Sequence, residues 1–454
     1  MTRQQRLVVL VSILASFVAF LDGSIINVAL PAIVKDFGGG LATQQWIVDA
    51  YLITLGSLIL VAGSLSDLFG RKKILAAGLL GFGAASLLCA IAPTSLLLII
   101  ARGLQGIAGA LIVPSSLALI MSSFEGPAEG KAIGTWTGWT GIAFIVGPLL
   151  GGLLVDSGSW RMIFAVNILP IIVTLWLMRS LETEPASKKR PKVDVLGAVM
   201  GAMGLAGTVF ALIEGTRLGW SSPAIYLPLI FGVVSFALFL RHERKTAQPM
   251  LPFELFKQRN FLVGNLATIS IYAGLSVAIF LISVFLQQVG KFTAVNAGLA
   301  LIPVTGLMFF LSGKFGALAG KFGPRLFMAI GPLVAGLGFL SMLRVQEHVN
   351  YVTQLLPGVI LFGVGLSITV APLTTAILGS IGSKQAGIGS AINNAVARIA
   401  GLVAIAFLGV IIGPSLNLRS FHRGVIAMAT LLILGGLISA VGIENSSNSQ
   451  KSNL

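Results

Sequence analysis

The chain repeats one pattern: long apolar runs, each of about the length that carries a helix across a hydrocarbon core, separated by short stretches of charge, glycine and proline. The period-two alternation of a membrane barrel is absent, so the pattern predicts spanning helices. Fourteen spans follow from it. The first six lie near 7–30, 44–64, 74–93, 97–119, 132–155 and 162–180. A pair follows near 195–214 and 224–240, and six more lie near 261–288, 296–316, 325–343, 354–375, 386–412 and 424–442. The fold class is all-α and integral to a membrane, and the even count places both ends in the cytoplasm.

The punctuation divides the spans. A basic linker with Pro185, Lys188, Lys189, Arg190, Pro191 and Lys192 precedes the pair, and a second, Arg241 to Arg259, follows it. The expected organisation is an N-terminal six-helix half (1–180), linkers with an inserted two-helix pair (181–259), a C-terminal six-helix half (260–443) and a disordered cytoplasmic tail (444–454). An internal repeat supports two halves. Gly316-Ala-Leu-Ala-Gly-Lys-Phe-Gly-Pro-Arg325 echoes Gly63-Ser-Leu-Ser-Asp-Leu-Phe-Gly-Arg-Lys72, each after the second span of its half, with Gly320 replacing Asp67. Repeats of this kind suit halves that rock around a central site.

Composition sharpens this picture. Of 454 residues 56% are hydrophobic and 10% charged, with a mean hydropathy of +0.97. The net charge of +15 raises the question of nucleic acid. Most basic residues, however, fall in loops assigned to the cytoplasm without interleaved stacking aromatics, which is the positive-inside bias and not a nucleic-acid surface. Arg102 and Arg398 fall well inside spans rather than at their ends. The single cysteine, Cys89, excludes an internal disulfide, and His242, His348 and His422 lie in or beside different loops, so no metal site is expected. Arg3 and Arg6 before an apolar run mimic a secretory signal, but the run continues through Asp22 and Asn27 to Pro31 and reads as a retained first helix.

Charges inside spans are the candidate chemistry. An aspartate at a helix centre costs about 2.5 to 3.5 kcal/mol on insertion scales, so Asp22 in the first span calls for a reason. Two readings stand: a proton carrier, or an acid near the outer mouth paired with a neighbour. Asp49, beside Trp46 and Tyr51 at the start of the second span, is either a cavity acid or a wetted interfacial one. Arg102, with Gln105 one turn on in the fourth span, faces the bundle interior as a relay or as a structural arginine holding carbonyls. Glu214 beside Arg217 reads as a surface pair. The charged turn from Gly63 to Leu75 is a cytoplasmic hinge, where Gly63 and Gly70 permit close approach and turning, Asp67 caps or pairs, and Arg71, Lys72 and Lys73 resist crossing. In the fifth span Gly138, Gly147, Pro148, Gly151 and Gly152 form a small-residue groove, with Pro148 able to kink it. Trp136, Trp139, Phe144, Phe285 and Gln287 are candidates to line an apolar cavity, and Asn27, Gln105, Asn393 and Arg398 to contact substrate there; packing is the competing role for each.

The Gly63 to Lys73 stretch resembles the signature loop between helices 2 and 3 of the major facilitator superfamily. Arg102-Gly-Leu-Gln-Gly-Ile-Ala-Gly-Ala110 resembles its fourth-helix motif, whose arginine is implicated in proton transfer, and Gly138 to Gly152 its fifth-helix antiporter motif. With Leu21 to Pro31, Trp160 to Asn167, Asp194 to Gly197, Gly387 to Arg398 and the fourteen spans, nearly the whole chain is similar to the fourteen-span drug:proton antiporter family, the EmrB/QacA-like group. The resemblance implies a proton-coupled antiporter of the plasma membrane (the inner membrane in a bacterium) that exports hydrophobic or amphipathic small molecules by alternating access. The proton gradient would supply the energy without a cofactor. Asp22, Asp49 and Arg102 would couple protons, and Gly63, Asp67, Gly70, Arg71 and Lys72 would latch the cytoplasmic side. Expected partners are a small-molecule substrate, protons and the bilayer, with the protein a monomer. One departure is that the last six spans contain no acid, whereas some family members use carboxylates there for cationic drugs. The rivals are a metabolite exporter or facilitator on the same fold, with Asp22 structural, and a receptor that moves nothing. An enzyme is disfavoured, since no nucleophile and base, metal cluster or phosphate-cradling loop is present.

Overall fold

A computed structural model describes residues 1–124, 127–182, 194–246, 249–381 and 385–445. The first basic linker (183–193) and most of the tail (446–454) lie outside the described residues, as do the side chains of Asp67, Pro127, Gly130 and Ala386. Helices account for nearly everything described, in the order α1 (Arg3–Phe37), α2 (Gly40–Phe69), α3 (Arg71–Ile91), α4 (Ser95–Ser123), α5 (Pro127–Gly141), α6 (Ala143–Ser157), α7 (Met162–Ala165), α8 (Ile168–Met178), α9 (Val195–Leu218) and α10 (Pro223–Lys245). The order continues with α11 (Arg259–Gln288), α12 (Ala294–Leu299), α13 (Ile302–Phe322), α14 (Pro324–Ser341), α15 (Leu356–Gly379), α16 (Ala386–Ile412) and α17 (Leu418–Gly442). Thirteen helical stretches are long and apolar enough to cross a membrane, and the shorter Met162–Met178 makes the fourteenth expected span.

The helices outrun the expected spans because their polar ends are capped rather than frayed. Thr2 and Gln5 exchange side-chain and backbone hydrogen bonds at the start of α1, Thr94 caps α4, and Asp194 accepts the Gly197 N–H at 2.8 Å to open α9. The two turns of the internal repeat share a backbone conformation. Gly70, between α2 and α3, has φ +96° and ψ +130°; Gly323, between α13 and α14, has φ +86° and ψ +154°. Only glycine adopts that region without strain, which is why the echo keeps both residues.

Among the described residues three expected spans are interrupted, the tenth between α12 and α13. The fifth is broken at Gly141–Ile142, where the Ile142 N–H bonds back to the Trp139 carbonyl at 3.3 Å. The helix then runs through Pro148 unbroken, so the expected kink lies about two turns earlier than the proline. The sixth breaks between α7 and α8, and Asn167 at that break turns its amide away from capping.

The chain divides into two compact units. The first comprises Met1–Leu251 with Ile279–Leu299 and Ile405–Ser420; the second comprises Pro252–Ala278, Ala300–Ala404 and Phe421–Leu454. Within the first, α1 packs against α4, α5, α6 and α8, α2 against α4 and α9, and α9 against α10. Within the second, α15 packs against α13 and α14. The inserted pair is joined to α2 through a polar contact: Trp46 donates its indole N–H to Glu214 at 2.9 Å, and Arg217 pairs with the other Glu214 oxygen at 2.7 Å. Glu214 is buried, so the surface-pair reading is corrected: an indole N–H on a neighbouring helix draws the carboxylate inward.

Candidate functional site

The polar centre of the first unit forms where α1, α3, α4 and the α7–α8 break meet. Asp22 on α1 receives Arg102 Nη1 at 2.6 Å, Gln105 Nε2 at 2.8 Å and Asn167 Nδ2 at 3.0 Å. Arg102 and Gln105 lie one turn apart on α4, so a single helix face delivers both. Arg102 Nη1 also donates to Gln105 Oε1 at 2.6 Å, and its Nε donates to the Ile47 carbonyl of α2 at 3.1 Å. The guanidinium lies 4.5 Å from the Tyr51 ring centroid and 5.8 Å from that of Phe164. Ser86 on α3 accepts from Gln105 at 2.9 Å and from Asn167 at 3.3 Å.

Asp22, Arg102, Gln105, Asn167 and Ser86 are each 1% exposed or less. A charged pair so buried persists only when its remaining lone pairs and protons are also met, and the amides of Gln105 and Asn167 meet them. Of the paired reading of Asp22, the pairing with a neighbour holds, with Arg102 as the partner, while the acid itself is fully enclosed. Asn167 and Ser86 escaped the sequence reading as site residues. The available signal was an amide in the otherwise apolar run of the sixth span.

Asp49 is different. It is 0% exposed on α2, and among the described residues neither carboxyl oxygen has a hydrogen-bond partner. The wetted interfacial reading is thereby corrected. Ionised, the group would be an uncompensated buried charge; protonated, it is a neutral acid that the surroundings tolerate. It follows Ile47, whose carbonyl holds Arg102, by two residues.

The fifth-span glycines separate into two groups. A Cβ on Gly151 would meet Ile25 Cγ1 at 2.6 Å, one on Gly152 would meet Val295 Cα at 2.5 Å, and one on Gly147 would collide with Ser24 of α1. Ser24 itself donates to the Ala143 carbonyl at 3.0 Å, tying α1 to the start of α6. Gly138 meets nothing within 4 Å, and neither does Gly63, so close packing does not explain either one. In the hinge, Lys72 donates to the Leu181 carbonyl beyond α8, Arg71 is also engaged, and the Asp67 side chain falls outside the described residues.

The proposed cavity residues have separate surroundings. Trp136 donates to Ser16 Oγ at 3.2 Å, Trp139 is 58% exposed, Phe144 packs on Phe20 with centroids 5.7 Å apart, and Phe285 is fully buried. Gln287 donates to the Val28 carbonyl at 3.0 Å and Ser283 to that of Asn27 at 3.1 Å, lacing α11 to α1, while the Asn27 amide bonds within its own helix at 3.4 Å. In the second unit Asn393 of α16 donates to Thr268 Oγ1 at 2.8 Å and to Asn265 Oδ1 at 3.2 Å, both on α11. Arg398, also on α16, is engaged.

Residues 12–405 match the family profile described as Major Facilitator Superfamily. The multidrug resistance protein Stp of Mycobacterium tuberculosis is 32% identical over 418 residues, covering 92% of this chain and 78% of that protein. A methylenomycin A resistance protein of Bacillus subtilis is 33% identical over 416 residues, with 89% and 87% covered. A puromycin resistance protein of Streptomyces alboniger is 32% identical over 407 residues, with 87% and 80% covered. Among solved structures, a D-xylose-proton symporter superposes with a TM-score of 0.71 at 15% identity, covering 97% of this chain and 98% of that one. A peptide transporter gives 0.72 at 14% identity, with 95% and 93% covered, and both likenesses speak for the fold alone. With the family profile spanning most of its length and resistance transporters related to it almost end to end, the chain belongs to the Major Facilitator Superfamily, as a multi-pass transporter of the cytoplasmic membrane and not an enzyme.

Proposed function

We propose that the protein is a proton-driven antiporter that exports hydrophobic or amphipathic antibiotic-like molecules by alternating access, with Asp49 as the group that loads and releases the proton. The relatives named for resistance to methylenomycin A, puromycin and multiple drugs support this cargo class. The observation that carries the proton assignment is the contrast between two buried acids: Asp22 is held by Arg102, Gln105 and Asn167, whereas Asp49 has no hydrogen-bond partner among the described residues. A proton entering from outside neutralises Asp49 and favours one orientation of the halves; cargo favours the other, and the difference in affinity between the two states is the coupling. Arg102 links the two acids, because it holds Asp22 on α1 and the Ile47 carbonyl two residues before Asp49 on α2. The proton gradient serves as the energy source without a cofactor, and a monomer suffices.

The test is proton release from reconstituted vesicles under an imposed pH gradient, on adding lipophilic cations, neutral antibiotics or anions. Wild type should dissipate the gradient in a cargo-dependent way. Asp49→Asn, which keeps the shape of the acid, should fold normally and lose the response. A response retained in Asp49→Asn and lost in Asp22→Asn would move the proton to Asp22. The pairing of Asp22 with Arg102 also favours a second reading, a facilitator in which Asp22 is structural; it predicts cargo flux without a pH gradient and in both variants.

A further inference from the structure

A groove of about 510 Å³ opens between the first turns of α1 and the last turn of α8, at the end of the bundle that the basic loops place in the cytoplasm. Its lining combines two kinds of surface. Arg3 and Arg6, three residues apart on one helix face, contribute two exposed guanidiniums. Leu10 and Trp176, 45% and 65% exposed, continue the wall towards the bilayer. Gln4 crosses the floor by donating to the Ser180 carbonyl at 3.3 Å.

Three facts narrow the occupant. Among the described residues no carboxylate or other acceptor pairs with Arg3 or Arg6, whereas the buried Arg102 and the exposed Arg161, Arg217 and Arg259 each have an acidic partner. The Thr2–Gln5 capping box satisfies two of the N–H groups at the start of α1, so the guanidiniums are the principal donors an anion would meet. Trp176 is an amphipathic ring of the kind that settles at headgroup level, with apolar surface beside it for an acyl chain. A free anion would match the guanidiniums but leave the tryptophan and leucine wall unused.

We propose that this groove binds the headgroup phosphate of an anionic phospholipid of the cytoplasmic leaflet, with Arg3 and Arg6 on the phosphate oxygens and Trp176 and Leu10 against the glycerol and the first acyl carbons. Guanidinium and phosphate match as a planar fork to a tetrahedral anion, and basic clusters at the cytoplasmic ends of spans attract anionic lipid. The site lies apart from the buried acids and does not depend on which of them carries the proton.

Native mass spectrometry of the full-length protein in neutral detergent tests this, titrating phosphatidylglycerol against phosphatidylcholine. Wild type should prefer phosphatidylglycerol. Each arginine should contribute roughly fivefold and the pair roughly twenty-five-fold, so Arg3→Gln/Arg6→Gln should lose most of the preference. Trp176→Ala should weaken retention of both lipids, and Arg344→Gln, outside the groove on an outer loop, should change nothing. Both arginines are exposed, so thermal unfolding without lipid should match wild type and certify the fold; the single Arg6→Gln variant provides an independent reading. An unchanged phosphatidylglycerol preference in the double variant would overturn the proposal. Displacement of the lipid by millimolar inorganic phosphate would reassign the groove to a free anion.

Discussion

In the first half a carboxylate and a guanidinium are buried together and completed by two amides and a hydroxyl; in the second, hydrogen bonds among two asparagines and a threonine join α11 to α16. The turns of the two halves remain alike, with Gly70 and Gly323 in the same glycine-only conformation. The repeat thus preserves what the backbone requires and diverges in what the side chains do. Neutral amides join helices at modest cost if broken; an ion pair out of reach of water is far less forgiving, and charge chemistry is concentrated in the half that holds it.

The strongest way to break the contrast is to remove one charge. Arg102→Ala leaves Asp22 as an uncompensated buried carboxylate and should lower stability by about 3 to 5 kcal/mol, read as the shift in thermal unfolding in detergent. The double variant Asp22→Leu/Arg102→Met, which removes both charges, should be less destabilised than Arg102→Ala alone. A small loss in Arg102→Ala would mean that water reaches Asp22, and the two polar centres would then differ in composition but not in kind.

The next effect shares one cause in both halves. Alanine at Gly70 or at Gly323 must adopt a positive φ that side-chain-bearing residues avoid, at about 1 to 3 kcal/mol each. Gly323→Ala would also displace the Asn445 side chain, which accepts the Arg325 N–H at 3.1 Å, whereas Gly70 meets nothing within 4 Å, so Gly323→Ala should cost the more of the two. A larger loss at Gly70 in the same unfolding assay would show that the repeat's turns are not equivalent.

These experiments follow the boundary of what the sequence discloses. Spans and the glycine turns were legible, because hydropathy and a positive φ each leave a mark on residue type. Asp22 and Arg102 were legible singly as costly charges. That they meet was not, since they are eighty positions apart and the meeting depends on the rotation of α1 and α4 about their axes. Asp49 beside Trp46 read equally as a cavity acid or an interfacial one; that indole is turned to Glu214, and the carboxylate is enclosed. Gly138 and Gly152 are the same letter in one motif, yet one meets open space and the other the backbone of Val295. Residue type records the cost of a position; the neighbour that explains it belongs to tertiary packing.

The smallest effect tests the neutral side of the comparison. Asn393→Ala removes both interhelical donations of its amide, to Thr268 and Asn265. Hydrogen bonds between membrane helices average about 0.6 kcal/mol and reach about 1.7, because the separated helices find other partners, and the loss should fall in that range. Both acceptors lose their interhelical donor, but the Thr268 hydroxyl stays engaged through its own donation to the Gly264 carbonyl at 2.9 Å. A loss as large as that of Arg102→Ala would mean that the amide cluster is cooperative, and that the second half guards its centre as strictly as the first without using a charge.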